Sequence, residues 1–278
     1  MTLSVFLCVL AAAFLHAAWN ALIKTGASKQ SAMLILSFGH ALVGGGVALW
    51  KGMLPSAALP WLFGSGLIHM CYQLALSYAY EHGDLSRVYP IARGTAPMIV
   101  LVISALFLSE PLAPMELTGI LILGCGILLM ARGVFTAGES RKMLPFALAS
   151  AVATAGYSIT DGMGARAAGD AVQYVGWLLM LSTVLYAPIA IALKGRVLFA
   201  APPRAWGLGL IAACASFGAY AIAVWAMTQA PIALVAALRE TSILFAVLIG
   251  WIVFGERMDR AKIIAIGVIL TGVILTRL

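Results

Sequence analysis

Two arginines lie inside long apolar stretches of this 278-residue chain. Arg93 and Arg239 are each followed 17 residues later by a glutamate, Glu110 or Glu256, that ends the stretch. A guanidinium deep in an apolar medium costs several kcal/mol unless it contacts water, a protein partner or a ligand. Its planar fork matches carboxylate, phosphate and phosphonate oxygens. The two arginines are therefore candidates for binding an anionic solute, with a structural ion pair as the alternative.

Other polar and aromatic side chains in apolar stretches are candidates for lining the same cavity. His16 and Asn20 are four residues apart and share one helix face, with Trp19 beside them. For such residues, hydrogen bonding between helices is the alternative to substrate contact. The predicted substrate-binding set is Arg93, Arg239, Tyr89, His16, Asn20, Trp19, Tyr72, Tyr157, Asp161 and Tyr220.

A second group of residues is predicted to have gating or structural roles. Glu110 and Glu256 end their stretches, so ion pairs are favoured over substrate contact. Glu240 follows Arg239 directly, but adjacent helical residues point about 100° apart. We therefore expect Glu240 to pair with another helix. The group is completed by two prolines that break helices, Pro90 and Pro97.

No pattern predicts a metal centre, a cofactor site or a hydrolytic centre. The four cysteines lack the spacing of metal ligands, and the sequence has neither an HExxH helix nor a GxxxxGK[ST] loop. Asp161 and His16 are titratable groups in apolar stretches, and we regard them as candidates for carrying a coupling proton.

The composition places the chain in a membrane. Hydrophobic residues make up 63% of it, charged residues only 10%, and the mean hydropathy is +1.04. A soluble domain of this length cannot bury so much apolar surface. The net charge of +7 sits in short loops, so lipid headgroups explain it better than nucleic acid does.

Ten apolar stretches, each close to the ~20 residues that a membrane helix needs, predict an all-α membrane protein with ten transmembrane helices. Short runs of charged residues, Gly and Pro separate them. The stretches are 3–24, 31–50, 60–80, 85–108, 113–132, 144–165, 171–193, 205–228, 231–254 and 259–277.

An internal repeat divides the chain into two halves of five helices, 1–137 and 138–278. Arg93–Gly126 aligns without gaps with Arg239–Gly272, and six of 34 positions are identical. Because five is odd, the second half must enter the membrane from the opposite face, which predicts a 5+5 inverted-topology repeat. Its binding site is expected between the halves, with Arg93 nearer the cytoplasm and Arg239 nearer the outside. The aligned identities include Arg93 with Arg239, Thr95 with Thr241, Glu110 with Glu256 and Gly126 with Gly272.

The loop charges predict the orientation. Loops after the odd-numbered stretches hold twelve lysines and arginines, and the opposite side holds three. Because basic loops remain in the cytoplasm, both termini are predicted to be non-cytoplasmic.

The sequence resembles the EamA-type members of the drug/metabolite transporter superfamily. The resemblance covers nearly the whole chain and is carried by the ten stretches and by the span-ending motifs LFLSEPL and IVFGERM. It implies a secondary carrier of the bacterial inner membrane that works by alternating access, often as an exporter of amino acids or metabolites. HAAWN in the first stretch, with Arg93 and Arg239, is similar to a subgroup associated with phosphonate use.

The expected partners are a small anionic or zwitterionic substrate, the lipid bilayer and a coupling proton, without nucleic acid. The expected oligomeric state is a monomer or a homodimer. A non-transporting sensor or scaffold and an intramembrane enzyme are the alternative functions.

Overall fold

A computed structural model describes residues 1–23, 28–82, 93–108, 110–136, 143–255 and 258–278. Within these ranges every regular element is a helix. Apart from the fourth and ninth stretches, the helices begin and end within four residues of the predicted positions. They are α1 (Leu3–Ile23), α2 (Lys29–Lys51), α3 (Leu59–His82), α4 (Ala96–Ile103), α5 (Pro114–Thr136), α6 (Met143–Ala168), α7 (Ala171–Lys194), α8 (Pro203–Gln229), α9 (Ile232–Arg239), α10 (Ser242–Phe254) and α11 (Arg260–Leu275).

Several of these helices meet the requirements for crossing a membrane. Two shorter apolar segments, Ala96–Leu108 and Pro114–Met130, accompany the long ones. The chain is therefore a multi-pass membrane protein. In the described part of the chain, the segments long and apolar enough to span are Leu3–Ile23, Gln30–Lys51, Ala171–Phe199, Pro203–Gln229 and Ile232–Phe254.

The glycines that the repeat aligns, Gly126 and Gly272, allow α5 and α11 to pack backbone against backbone. A Cβ on Gly126 would lie 2.9 Å from the nitrogen of Ile269, and one on Gly272 would lie 2.5 Å from the nitrogen of Leu123. Leu123 and Ile269 are themselves aligned by the repeat. Each contact is therefore the two-fold image of the other, and a side chain at either glycine would separate the helices.

The equivalent helices α2 and α7 run antiparallel against each other. Thr183 donates a hydrogen bond to the carbonyl of Ser37 at 2.7 Å, and Lys51 forms an ion pair with Asp170 at 2.9 Å. Between these contacts Gly44 packs against Gly176. Residue numbers rise along α2 in the direction in which they fall along α7. A two-fold axis that relates these two helices is therefore perpendicular to them.

The ninth stretch contains a tight turn that the hydropathy pattern does not show. The amides of Glu240 and Thr241 donate to the carbonyls three residues earlier, at 3.0 Å each, between α9 and α10. Thr95, which the repeat aligns with Thr241, is a bend between the helical residues Arg93 and Gly94 and the start of α4. Tightened turns inside helices often mark functional hinges. Both interruptions lie within two residues of a buried arginine.

Candidate functional site

Arg93 and Glu240 form a buried ion pair that joins the two halves of the chain. Arg93 is 3% exposed and Glu240 is also buried, with the Nε of Arg93 3.0 Å from the Oε2 of Glu240. Glu240 therefore pairs across to the segment before α4 rather than with its neighbour Arg239. The charge of Arg93 is thus neutralised by the protein.

His16 lies on α1 beside this pair. Its Nε2 is 3.3 Å from the Nη2 of Arg93, and because a guanidinium only donates, Nε2 is the acceptor. Trp19 packs edge-on against the imidazole with ring centroids 5.1 Å apart. Asn20 donates to the carbonyl of His16 at 2.7 Å, so its amide group is hydrogen-bonded to its own helix. This geometry makes His16 a neutral acceptor and a poor place for an added proton.

Arg239 has a different environment from Arg93. It is 8% exposed, and its guanidinium carbon lies 5.1 Å from the centre of the Tyr220 ring. Within the described residues it forms no ion pair with a carboxylate. Arg239, His16 and Tyr220 line a cavity of about 10 Å³ with three alanines of α1 and α8. Such a volume holds about one water molecule, so this cavity is too small for an organic solute in this conformation.

Asp161 is the centre of a second buried cluster. Its carboxylate is fully buried on α6, with Oδ2 3.1 Å from the Nε2 of His69 on α3. Tyr174 of α7 donates to Oδ1 at 3.2 Å, and Tyr220 of α8 donates to Oδ2. Three donors from three helices therefore hold one carboxylate.

Tyr157 and Tyr72 belong to the Asp161 cluster rather than to the arginine cavity. The ring of Tyr157 stacks on His69 with centroids 4.2 Å apart, and Tyr72 meets Tyr157 edge-on at 5.4 Å. The predicted substrate-binding set thus divides into two neighbouring clusters, of which Tyr220 is the shared member. Tyr89, Pro90 and Glu256 lie outside the described residues.

Glu110 forms an ion pair at one end of the molecule. Its Oε1 is 2.6 Å from the Nη2 of Arg166, and its Oε2 accepts from the amide of Ile232 at 2.8 Å. Arg166 also donates to the carbonyl of Met227 at 2.7 Å and 3.0 Å. The pair therefore joins the end of the fourth stretch to the ends of α6 and α8 and the start of α9.

Beside this pair, Arg166, Asp170 and Trp225 line a depression of about 480 Å³. It lies at the molecular surface, away from Arg93 and Arg239. Pro97 is buried in the first turn of α4, where its missing amide hydrogen is tolerated.

Sequence reasoning did not select three of these residues. His69 shares a helix face with Gln73, but a histidine in an apolar stretch more often serves packing than function. Arg166 carries a weak signal, because it is a basic residue near the end of a span. Tyr174 carries none, since only the fold brings it to Asp161. In the described part of the chain, no three His, Cys, Asp or Glu side chains are arranged to hold a metal ion.

We expect that breaking the Glu110–Arg166 pair will open this end of the molecule. Losing a charged hydrogen bond costs ~1.5–3 kcal/mol, so Glu110→Gln should raise the open population ~10- to 150-fold. The readout is the rate at which an impermeant thiol reagent modifies Met227→Cys, a fully buried position, in intact cells lacking the native cysteines.

Lys51→Gln is the matched control, because it breaks a more exposed pair with Asp170 at the same end. Its labelling rate should stay at that of the parent protein. Equal rates in the parent and Glu110→Gln would show that the Glu110 pair does not keep this end closed.

Comparison with known proteins places the chain in a family context. The model of the EamA-like transporter family matches residues 3–132 and 141–278. A crystal structure of a protein with 19% sequence identity superposes with a TM-score of 0.78, over 99% of this chain and 98% of the other. At that identity the likeness shows the fold alone. No curated protein sequence gives a significant match.

Proposed function

The chain belongs to the EamA-like transporter family and is a membrane transporter of small molecules, and we propose that it is a secondary carrier for an anionic or zwitterionic organic solute. The candidate solutes are amino acids, organophosphates and phosphonates. The carrier works by alternating access in a bacterial inner membrane, in the direction of export.

The observation that carries this proposal is the environment of Arg239. A buried cation without a carboxylate partner among the described residues is costly, and an anionic ligand offsets that cost. Arg239 lines the small cavity with His16 and Tyr220. When this cavity opens, the guanidinium of Arg239 can donate two parallel hydrogen bonds to a carboxylate or phosphonate.

The two arginines do not have equal roles in this proposal. The sequence made both arginines candidates for binding an anion, but in the structure Glu240 already neutralises Arg93. Arg239 therefore binds the anion, and the Arg93–Glu240 pair fixes the geometry of the two halves beside it.

The helix interruptions at Thr95 and Thr241 and the two-fold packing suit alternating access. Broken helices at the middle of inverted repeats are where carriers of this architecture bind substrates. The turn at Glu240 and Thr241 lies directly after Arg239. Rocking of one half against the other about the α5–α11 contact opens the central cavity to either side in turn.

Contacts at the ends of the helices support ten membrane crossings. The amino terminus lies 3.6 Å from Glu116, and Lys51 pairs with Asp170. All of these groups belong to the side predicted to be non-cytoplasmic. Lys194 belongs to the side predicted to be cytoplasmic. Its ammonium lies over the ring of Tyr78, near the end of α3 that is predicted to be on the same side.

Cysteine labelling tests the orientation. In intact cells lacking the four native cysteines, Ser56→Cys should react with an impermeant thiol reagent, whereas Gly138→Cys should react only after permeabilisation. Gly195 is a poor second cytoplasmic site, because its φ of 70° disfavours a side chain. The exposed neighbour Val197→Cys replaces it. The opposite labelling pattern would reverse the orientation.

A thermal-shift screen of the purified protein in detergent tests the substrate class. Phosphonates, organic phosphates, dicarboxylates and amino acids are compared with organic cations and neutral sugars of similar size. Stabilisation by cations or sugars alone would contradict the proposal. Flux of the stabilising solute into proteoliposomes then distinguishes a carrier from a sensor, which binds the solute without moving it.

A further inference from the structure

We propose that the His69–Asp161 pair takes up one proton when an anion binds at Arg239, so that the carrier moves the anion and the proton together in the same direction. This inference rests on the proposed function, since it requires the anion site at Arg239. It adds the coupling ion and the residues that carry it.

The buried charges of the described residues balance before any solute binds. In the described part of the chain four charged side chains are buried, the cations Arg93 and Arg239 and the anions Asp161 and Glu240. Arg93 and Glu240 neutralise each other at 3.0 Å. Among the described residues, the buried charge left to balance Arg239 is that of Asp161.

Tyr220 connects these two charges. Its ring lies under the guanidinium of Arg239, and its hydroxyl donates to the carboxylate of Asp161. The same hydroxyl oxygen is 3.4 Å from the Nε2 of His69. A ligand that binds Arg239 therefore changes the electrostatic environment of the His69–Asp161 pair through the side chain of Tyr220.

Anion binding disturbs this balance. A monoanion at Arg239 neutralises the guanidinium and leaves Asp161 as an uncompensated negative charge in a medium of low dielectric constant, which is strongly unfavourable. One proton from the solvent, bound to the His69 imidazole or to the Asp161 carboxylate, restores neutrality. A single N–H or O–H bond forms, and no other bond changes.

The other titratable groups around the pair are less suited to this role. Tyr157, Tyr72 and Tyr174 are phenols, which do not gain a proton near neutral pH. On α1, His16 already accepts from Arg93 and faces two arginines. On α2, His40 lies within electrostatic range of His69 and is the competing proton site.

Calorimetry on the purified full-length protein tests the coupling. Binding of methylphosphonate, succinate and acetate is measured in buffers of different ionisation enthalpy, which gives the number of protons taken up per anion. We expect wild type to take up about one proton more than Asp161→Asn. Uptake of one proton per anion makes the wild-type affinity fall about tenfold for each unit by which the pH rises, and the affinity of Asp161→Asn should not depend on pH.

Two further variants keep the test decisive. His69→Gln should also reduce the proton uptake, which preserves the test if Asp161→Asn does not fold. His40→Gln is the matched control and should keep the uptake of wild type. Loss of uptake in His40→Gln with its retention in Asp161→Asn would overturn the assignment.

The outcomes separate the two proposals. If wild type binds an anion without taking up more protons than Asp161→Asn and His69→Gln, the coupling fails and the anion site stands. If none of the three anions binds to wild type at any pH, the anion site fails and the coupling fails with it.

Discussion

Replacing Glu240 with glutamine is expected to lower the free energy of unfolding by about 3–5 kcal/mol. The substitution removes the carboxylate that lies 3.0 Å from the Nε of the buried Arg93, so the guanidinium loses the charge of this partner. His16 does not compensate, because it is uncharged when it accepts from Arg93. Thermal denaturation in detergent without ligand is the measurement. Arg93→Gln should have a similar effect, because it leaves the Glu240 carboxylate buried instead.

The double variant Arg93→Gln/Glu240→Gln should regain most of the lost stability, since two amides of similar size can hydrogen-bond in place of the charges. The pair Lys51 and Asp170 provides the control, because its side chains are about one-third exposed. Neutralising both of these residues should cost no more than ~1 kcal/mol. Additive losses at Arg93 and Glu240 would show that the two residues do not stabilise the fold as a pair.

The helical architecture is predictable from sequence because it depends on the local composition of each stretch and on the internal repeat. Apolar stretches separated by Gly, Pro and charges locate the helices, since a bilayer tolerates few other structures. The gapless repeat aligned Gly126 with Gly272, and in the structure these glycines make two-fold-related contacts. It also aligned Thr95 with Thr241, and each marks a break in its helix.

The site was only partly predictable, because partners come from distant parts of the chain. Arg93 and Arg239 look equivalent in the repeat, yet only Arg93 has Glu240 as a partner. The residue that breaks the symmetry is visible in the alignment, where Gly94 stands opposite Glu240. Which arginine that glutamate would neutralise depends on how α9 and α10 pack against α4, and hydropathy carries no such information.

The aspartate cluster shows the same limit. Asp161 was selected because an aspartate in an apolar stretch is rare, but His69, Tyr174 and Tyr220 reach it from three other helices. Spacing along the chain does not predict those contacts. The sequence placed Asp161 in one cavity with the arginines, whereas the fold gives it its own hydrogen-bonded cluster with Tyr220 as the link.

Replacing Arg239 with glutamine is expected to weaken anion binding about 10- to 150-fold, because a charge-assisted hydrogen bond contributes ~1.5–3 kcal/mol. Arg239→Lys should restore part of the affinity, since the ammonium keeps the charge and loses the two-point contact. Because the charge of Arg239 also balances that of Asp161, the stability of each variant is first measured without ligand, and the ligand-induced gain is taken relative to that value. The measurement is ligand-induced stabilisation in detergent, about 2.7 kcal/mol for wild type at a ligand concentration of about 100 times Kd.

At the same ligand concentration, a variant that binds about 100-fold more weakly gains only ~0.4 kcal/mol. Arg204→Gln, at an exposed position at the start of α8, is the control for a general loss of positive charge and should retain the wild-type gain. If a folded Arg239→Gln variant is stabilised by the ligand as much as wild type is, the anion does not bind at Arg239. Arg239 would then be a structural residue held by the Tyr220 ring.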